Sequence, residues 1–126
     1  MSRRLKISAA QLGPIHRADS RKSVVKRLVE MLKEADSRSS KFVVFPELAL
    51  TTFFPRWWMD QAEVDKYFEA QMPSPETLPL FELARSKGIG FYLGYAELTE
   101  EEGRAGRFNT SILVGPARPS SSVSSA

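Results

Sequence analysis

The sequence contains no cysteine among its 126 residues and only one histidine, His16. The absence of cysteine excludes disulfide bonds, thiolate metal sites and a cysteine nucleophile within this chain. A single histidine, which we expect in an exposed loop, makes a histidine-based zinc site or a Ser-His-Asp triad difficult to build. We therefore expect neither a metal nor a cofactor.

Long apolar runs are also missing, since no segment approaches the roughly 20 residues that a membrane-spanning helix needs. The basic start of the chain is not followed by an apolar segment of about 7–15 residues with a small-residue cleavage site. We therefore expect no membrane protein, no secretory signal and a cytoplasmic location.

Basic residues are concentrated at the front of the chain. The formal net charge is +3, but residues 1–41 hold eleven Lys and Arg against four Asp and Glu, whereas the remainder holds seven against eleven. One interpretation is a nucleic-acid patch. The other is the solvated face of an amphipathic helix over 22–33. No aromatic residue lies between these charges to stack on a base, so we favour the helix and expect no nucleic-acid partner.

The first third of the chain has the pattern of a β-α-β unit. Residues 5–12 have the pattern of a strand, which a Gly-Pro pair ends. From about residue 19, where Asp19 or Ser20 could cap a helix, apolar residues recur at helical spacing up to a polar turn at 37–40. The apolar run at 42–45 is typical of a strand buried on both faces. The two strands should be parallel neighbours.

The middle of the chain predicts two further helices and a hairpin. An aromatic connection at 46–59 leads to a short helix at 60–71, and Ser74-Pro75 opens another helix that Gly88 ends. Because Pro79 lies inside this stretch, that helix should start later or kink. Two strands, at 89–98 and 108–114, are joined by a charged loop at 99–107 and should form an antiparallel hairpin. Across it, Glu97 could pair with Arg107.

The composition changes abruptly after Val114. Residues 115–126 are rich in serine and proline and contain almost nothing to bury, so we expect a disordered tail after a domain at residues 1–114. A low-complexity tail directly after a core strand also suggests an interrupted reading frame, which sequencing of the downstream coding region would test.

Glu47 is the residue with the clearest potential for chemistry. It follows the predicted buried strand, and ligands of open α/β sheets bind beyond the carboxyl ends of the strands. Aromatic residues at 53–58, of which Phe53 and Phe54 are the better pocket candidates, could exclude water and make the carboxyl group a usable base. The local sequence alone favours another interpretation, in which Glu47 is a solvated loop residue or pairs with Arg56.

Three ordered segments resemble the carbon–nitrogen hydrolases of the nitrilase superfamily. Phe45-Pro46-Glu47-Leu48 is similar to the first signature of that family, in which a glutamate follows the second strand. The similarity is to the N-carbamoyl-D-amino acid amidohydrolases in particular. It extends over the loop ELALTTFFPRW at 47–57, which overlaps this signature, over GIGFYLGYAE at 88–97 and over RFNTSILV at 107–114. The resemblance covers about residues 6–114.

This resemblance implies an α/β fold, a partial α-β-β-α sandwich of the nitrilase type, and a Glu-Lys-Cys catalytic set. In such enzymes the glutamate takes the thiol proton, the cysteine attacks the amide or ureido carbon, and the lysine stabilises the oxyanion. Glu47 matches the glutamate. The lysine would follow the strand that ends at Val114 and the cysteine would lie further on, so this chain has neither. The family is usually homo-oligomeric and acts on small amide or carbamoyl substrates.

Two functional hypotheses follow. The first is hydrolysis of N-carbamoyl amino acids or related amides, for which this chain supplies only Glu47 and should be inactive alone. The second is a truncated fragment or a non-catalytic association module, because uncovered strand edges favour association. A nucleophilic Thr51 or Thr52 is a remote alternative, since threonines in tight loops usually bond the backbone.

Overall fold

The computed structural model describes residues 3–116 and the backbone of residues 121–125. Five strands and three α-helices follow one another along these residues. The strands are β1 (Ile7–Ala9), β2 (Phe42–Val44), β3 (Gly90–Glu101), β4 (Arg104–Val114) and β5 (Ser121–Ser125), and the helices are α1 (Arg21–Ser37), α2 (Gln61–Asp65) and α3 (Leu78–Lys87). A short 3₁₀ helix, Phe54–Arg56, lies between β2 and α2.

The strands form one sheet in the order β1-β2-β3-β4-β5. β2 pairs in parallel with both β1 and β3, whereas β4 pairs antiparallel with β3 and β5. One row across the first four strands consists of Ala9, Val44, Tyr92 and Leu113. The predicted parallel pair, the predicted hairpin and the α/β class are therefore confirmed.

Helix α1 begins where the sequence places a capping residue. The Oγ of Ser20 accepts a hydrogen bond from the backbone N–H of Ser23 at 3.1 Å, which satisfies one of the free amides of the first turn. The apolar residues at helical spacing are buried: Val24, Val25, Leu28, Leu32 and Ala35. The predicted amphipathic helix is confirmed, and its basic residues lie mostly on the solvent side.

Helix α3 starts later than Ser74-Pro75, as the position of Pro79 predicts. Leu78 is its first residue, so Pro79 lies in the first turn, where the absent N–H has no intrahelical partner to lose. The helix ends at Gly88, which adopts a left-handed φ of 64° that glycine reaches without strain. Both boundaries follow from backbone chemistry.

Helices α1 and α3 cover one face of the sheet. The core there joins their apolar residues to Phe45 and to six buried strand residues: Val43, Phe91, Leu93, Tyr95, Ile112 and Val114. Phe91 contacts Phe45 and Phe81 edge-on, with ring centroids 6.0 and 5.1 Å away. Burial of each large side chain contributes roughly 1.5–3 kcal/mol, so this layer holds the sheet in place.

The opposite face of the sheet is covered at the end of β3 near Ala96, where Leu48 and Phe54 pack against it, and the rest of this face is open among the described residues. Ile7, Val44, Tyr92 and Leu113 lie on this face and remain between 37% and 55% exposed. We call this the open face. The described residues therefore form one sheet and one helical layer of the predicted sandwich.

Two predicted element lengths are wrong. Strand β1 covers three residues rather than 5–12, because β2 offers only three residues for pairing. The loop predicted at 99–107 is a two-residue turn, since β3 and β4 stay paired as far as Glu101 and Arg104. Glu102 and Gly103 have φ values of 51° and 76°, the pattern of a type I′ turn, whose twist matches the strands.

The helix predicted at 60–71 is also wrong beyond Asp65. Glu69 instead extends the edge of β3: its N–H donates to Ala96 at 2.7 Å and its carbonyl accepts from Leu98 at 2.9 Å. Its buried carboxylate also accepts from the guanidinium of Arg21 on α1. These long-range bonds override the local helical pattern.

The tail predicted to be disordered at 115–126 contains a strand. Ser121–Ser125 forms β5 along Thr110–Val114 of β4, whereas residues 117–120 and 126 lie outside the described residues. An edge strand offers unpaired N–H and C=O groups to any extended backbone. Pairing of this serine-rich segment therefore needs no apolar side chains.

Candidate functional site

Glu47 is fixed in a tight turn just beyond the carboxyl end of β2. Two backbone hydrogen bonds to β3 flank it: the N–H of Phe45 donates to one carbonyl at 3.0 Å, and the N–H of Ala49 donates to another at 3.1 Å. Leu48 has a left-handed φ of 48°, a conformation that persists only where the surroundings impose it. The position of the Glu47 backbone is thus determined by the sheet.

Gly94 of β3 lets this turn lie close to the sheet. A Cβ atom at Gly94 would be 3.4 Å from the Cα of Glu47 and 3.6 Å from the backbone nitrogen of Leu48. Any larger side chain at this position would have to displace the turn. The small residue on β3 therefore sets the distance between Glu47 and the sheet.

Asn109 of β4 orients the side chain of Glu47. Its Nδ2 donates a hydrogen bond to Glu47 Oε1 at 2.8 Å. A donor bonded to a carboxylate gives a stronger and more directional contact than one between neutral groups. Because Asn109 engages Oε1, the second carboxylate oxygen is the one available to take a proton.

Glu47 lies at the edge of a cavity of about 280 Å³. Phe53 and Phe54, the two predicted pocket residues, both line this cavity, together with Asn109 and Arg107. Glu47 itself stays exposed, so water reaches its carboxylate in the described part of the chain. The arrangement is a solvent-accessible base beside an apolar recess.

A comparison with protein families identifies the chain. The sequence profile of the carbon-nitrogen hydrolases matches residues 6–122. The chain belongs to the carbon–nitrogen hydrolase family. This match agrees with the resemblance of the three sequence segments, and Glu47 lies in the first of them.

Solved structures share the fold of this carbon–nitrogen hydrolase chain. An N-terminal amidase with a Gln-Val peptide superposes with a TM-score of 0.69 at 19% identity, over 96% of this chain and 27% of that one. A carbon-nitrogen hydrolase from Helicobacter pylori G27 gives 0.66 at 18% identity, over 89% and 37%. Saccharomyces cerevisiae Nit3, a member of branch 10 of the nitrilase superfamily, gives 0.67 at 20% identity, over 89% and 40%.

The chain thus spans between about a quarter and two fifths of the length of these structures. At such low identities the likeness establishes the nitrilase-type fold. Catalytic residues and substrates of the whole protein remain matters of proposal.

The two tryptophans do not enclose the carboxylate of Glu47. Trp58 is 94% exposed. The ring of Trp57 lies between the guanidinium groups of Arg17 and Arg56, 5.3 and 4.9 Å from its centroid. Arg56 therefore stacks on an aromatic face, and the pairing with Glu47 that the local sequence suggested is not the contact observed.

The predicted pairing of Glu97 with Arg107 is also wrong. Arg107 donates twice to Asp65 of α2, at 2.8 and 3.0 Å, and this bond lowers the pKa of the Asp65 carboxyl group. Glu97 accepts from the hydroxyl of Thr110 at 2.8 Å. The register explains the error: Glu97 lies opposite Phe108, so Arg107 projects from the other face of the hairpin.

Asn109 is the site residue that sequence reasoning missed. The sequence showed it only as part of the segment at 107–114. A usable signal was present, because Asn109 is a polar residue on β4, the strand that pairs with β3, and the Glu47 turn is bonded to β3. The sequence alone does not give the register of the hairpin, which places Asn109 opposite Ala96. Without this register, the proximity of Asn109 to Glu47 could not be predicted.

Groups of metal ligands and membrane-spanning helices were sought among the described residues. Within residues 3–116 and 121–125, no group of three or more His, Cys, Asp or Glu side chains could hold a metal ion. Among those same residues, no helix has the length and apolar character to cross a membrane. His16 is exposed in the connection before α1, as expected.

Proposed function

We propose that this chain supplies the general base of a carbon–nitrogen hydrolase, and that Glu47 is that base. The observation that carries the proposal is the Glu47 carboxylate, held by Asn109 at the carboxyl end of β2 and beside an apolar cavity. One oxygen is bonded and the other is available, which suits a group that accepts a proton. Family membership supports the same role for the glutamate of this segment.

The reaction begins as the Glu47 carboxylate accepts the proton of a cysteine thiol. The sulfur then bonds to the carbonyl carbon of an amide or N-carbamoyl group, and the carbonyl oxygen becomes an oxyanion. Collapse of this intermediate breaks the C–N bond, and the protonated Glu47 carboxyl gives its proton to the nitrogen, which leaves as the amine or ammonia. Water then hydrolyses the acyl-sulfur bond. The chain contains no cysteine and no lysine beyond Lys87, so the thiol and an oxyanion-binding lysine come from outside these 126 residues.

The substrate class we propose is an N-carbamoyl amino acid or a related amide. The loop at 47–57 and the segments at 88–97 and 107–114 support this choice through their similarity to amidohydrolases of that kind. The other enzymes of the same fold include an N-terminal amidase. An amide carbon is the shared chemical target of both.

The role of Glu47 can be tested with an added thiol. Purified chain is mixed with 2-mercaptoethanol and p-nitrophenyl 3-phenylpropionate, and release of p-nitrophenolate is followed by absorbance. A positioned general base typically raises a reaction rate about 10²–10⁴-fold. Because the added thiol diffuses freely and is not held next to Glu47, we expect a smaller effect, a release of p-nitrophenolate about tenfold faster than in buffer. Glu47→Gln should abolish it.

Glu100→Gln is the matched control, because Glu100 is an exposed carboxylate on the β3–β4 hairpin and away from the cavity. It should keep the full acceleration. Equal rates for the unchanged chain and Glu47→Gln would contradict the proposal. In a parallel assay without added thiol, ammonia release from amides that depends on Glu47 would show that the chain carries its own nucleophile.

Association is the second candidate function, and the open face supports it. Four apolar or aromatic side chains there remain exposed, which is unusual for the middle of a sheet. We propose that this face packs against a second sheet, as in the sandwich that the family implies, and that the assembled protein is a homo-oligomer. Sedimentation of the chain at micromolar concentration should show association that Val44→Lys and Leu113→Lys reduce. A monomer with a reversible thermal transition would contradict this.

A further inference from the structure

The cavity beside Glu47 is lined mainly by carbon. Seven apolar residues supply its walls: Leu48, Phe53, Phe54, Pro55, Phe68, Ala96 and Phe108. Its inner part is rigid, because Phe54 is buried and stacks on Tyr67 with ring centroids 5.3 Å apart and planes 7° from parallel. The recess is therefore preformed rather than shaped by a ligand.

The entrance of the cavity leaves aromatic surface in water. Phe53 is 52% exposed and Phe108 is 43% exposed, and both belong to the lining. A ligand group that covers these two rings would remove apolar surface from water, which is favourable in proportion to the area covered. The entrance is thus suited to an apolar group.

The charges around the cavity argue against an anionic group inside the cavity. Arg107 is the cation in the lining, and its guanidinium is already bonded through two hydrogen bonds to the carboxylate of Asp65. Glu47 adds a negative charge at the same cavity and would repel a second carboxylate. The cavity lining therefore has no unpaired positive charge that could bind an acid group.

We propose that this cavity binds a neutral aromatic or similarly bulky apolar group of the substrate, attached next to the carbonyl whose C–N bond is cleaved. This inference rests on the proposed role of Glu47, because it is Glu47 that places the carbonyl at the edge of the cavity. An apolar cavity of about 150 Å³ is enough to hold benzene. The volume of about 280 Å³ accommodates a phenyl ring and a short linker.

Binding is tested directly with three amides added to the isotopically labelled chain and followed by NMR. The probes are 3-phenylpropionamide, propionamide and the anionic amide succinamate. Covering a buried ring typically yields a gain of tenfold or more in affinity, so the Kd of 3-phenylpropionamide should be at least about tenfold below that of propionamide. Succinamate should bind no better than propionamide, and the shifted amides should be those of Leu48, Phe54 and Phe108.

Phe53→Ser is the main variant, because Phe53 is half exposed and its loss should leave the fold intact. It should raise the Kd of 3-phenylpropionamide about fivefold or more, and Phe108→Ser should act in the same direction. Leu78→Ser is the matched control: it removes an apolar side chain of similar exposure to Phe108, but from α3, outside the cavity and away from the open face. Its Kd should equal that of the unchanged chain.

Equal Kd values for the aromatic and the small amide would overturn the inference, as would shifts confined to the open face. Glu47→Gln separates this failure from failure of the proposed function. If the base assignment alone is wrong, aromatic selectivity persists while Glu47→Gln leaves the thiolysis rate unchanged. If the cavity assignment alone is wrong, Glu47-dependent thiolysis persists and proceeds equally with acetyl and 3-phenylpropionyl esters.

Discussion

Arg21 of α1 and Glu69 of the segment after α2 form an ion pair that joins the helical layer to the edge of β3. The Glu69 carboxylate is 5% exposed and accepts from the guanidinium, which also donates to the carbonyls of Lys66 and Phe68. One arginine therefore holds three acceptors of a segment that has little regular structure. This arrangement fixes Phe68, which lines the cavity, relative to the sheet.

The stability of the chain should depend on the protonation of Glu69. Burial raises the pKa of the Glu69 carboxyl group above its ordinary 4.5, and the charge and hydrogen bond of Arg21 offset this only in part. Between 4.5 and the higher folded pKa, the folded state binds more protons than the unfolded chain. The free energy of unfolding therefore falls as the pH rises through this window.

Urea unfolding at a series of pH values checks this sign. The Glu69→Gln side chain cannot ionise but still offers Arg21 an oxygen acceptor. The fall in the free energy of unfolding between pH 4.5 and the folded pKa of Glu69 should therefore disappear in this variant. Glu63→Gln is the control, because it removes a carboxylate from an exposed ion pair with Arg17 and should leave the decline in place. An identical pH dependence in the unchanged chain and Glu69→Gln would contradict the prediction.

The hydroxyl of Tyr95 should titrate above the ordinary pKa of a tyrosine. Burial, with the nearby charges of Glu97 and Glu69, raises the pKa of the Tyr95 hydroxyl from 10.0 to about 12. The folded state thus keeps this proton longer than the unfolded chain, and stability is lost as the pH rises from 10.0 to about 12, by at most roughly 3 kcal/mol. An ultraviolet titration of phenolate should show a late step that Tyr95→Phe removes. A single common step near the ordinary value, in folded protein, would be inconsistent with this burial.

The sequence predicts those parts of the fold that depend on local chemistry. The cap at Ser20, the helix end at Gly88 and the position of Glu47 after the second strand are all local, and each is found in the structure. The prediction that this strand is buried on both faces is wrong, because Val44 is 38% exposed on the open face. Glu47 could be selected because the apolar run indicates where the strand ends. The residues near Glu47 in sequence did not predict its contacts, because the side chain bonded to it is that of Asn109 on β4.

Contacts across the hairpin could not be predicted, because they depend on the length of one turn. A loop at 99–107 leaves the register open, whereas a turn at Glu102 and Gly103 fixes every pair from Glu101 to Phe91. A change of one residue in register moves each side chain to the other face. The error for Arg107 and the omission of Asn109 therefore have the same cause.

Gly90 should be among the least replaceable residues of β3. A Cβ there would lie 2.5 Å from the carbonyl oxygen of Val114, and backbone atoms in a paired strand cannot retreat. Gly90→Ala should lower the free energy of unfolding by about 2–4 kcal/mol. Gly115→Ala is the control, since nothing lies within 4 Å of a Cβ at that position, and it should change stability by less than about 0.5 kcal/mol. Equal losses in chemical denaturation would refute the close approach at Gly90.

The turn of the hairpin offers a way to stabilise the chain. Glu102 holds a φ of 51°, which a glutamate adopts less readily than an asparagine, and Gly103 follows it. Glu102→Asn should therefore raise the free energy of unfolding by about 0.5–1 kcal/mol. Glu101→Asn, one residue earlier in the strand, lacks the positive φ and should give no gain. Thermal unfolding of the two variants distinguishes a turn effect from the mere loss of a negative charge.

Asn109 should control the activity of Glu47 without being needed for the fold. Asn109→Leu removes the donor to Glu47 Oε1, so the carboxylate loses its orientation, and the Glu47-dependent thiolysis rate should fall about three- to tenfold. Asn109→Asp should reduce the rate further, because a second carboxylate would face the first.

Asn109→Gln keeps the amide group on a longer side chain and should recover part of the rate, which a purely structural role for Asn109 would not produce. Leu78→Ser, outside the cavity, again provides the control and should retain the full rate. The assay is informative only if circular dichroism shows the same fold for all four variants. If the thiolysis rate falls equally in folded Asn109→Leu and Asn109→Gln, the hydrogen bond does not orient the Glu47 carboxylate. The contact between the two side chains would then have only a structural role.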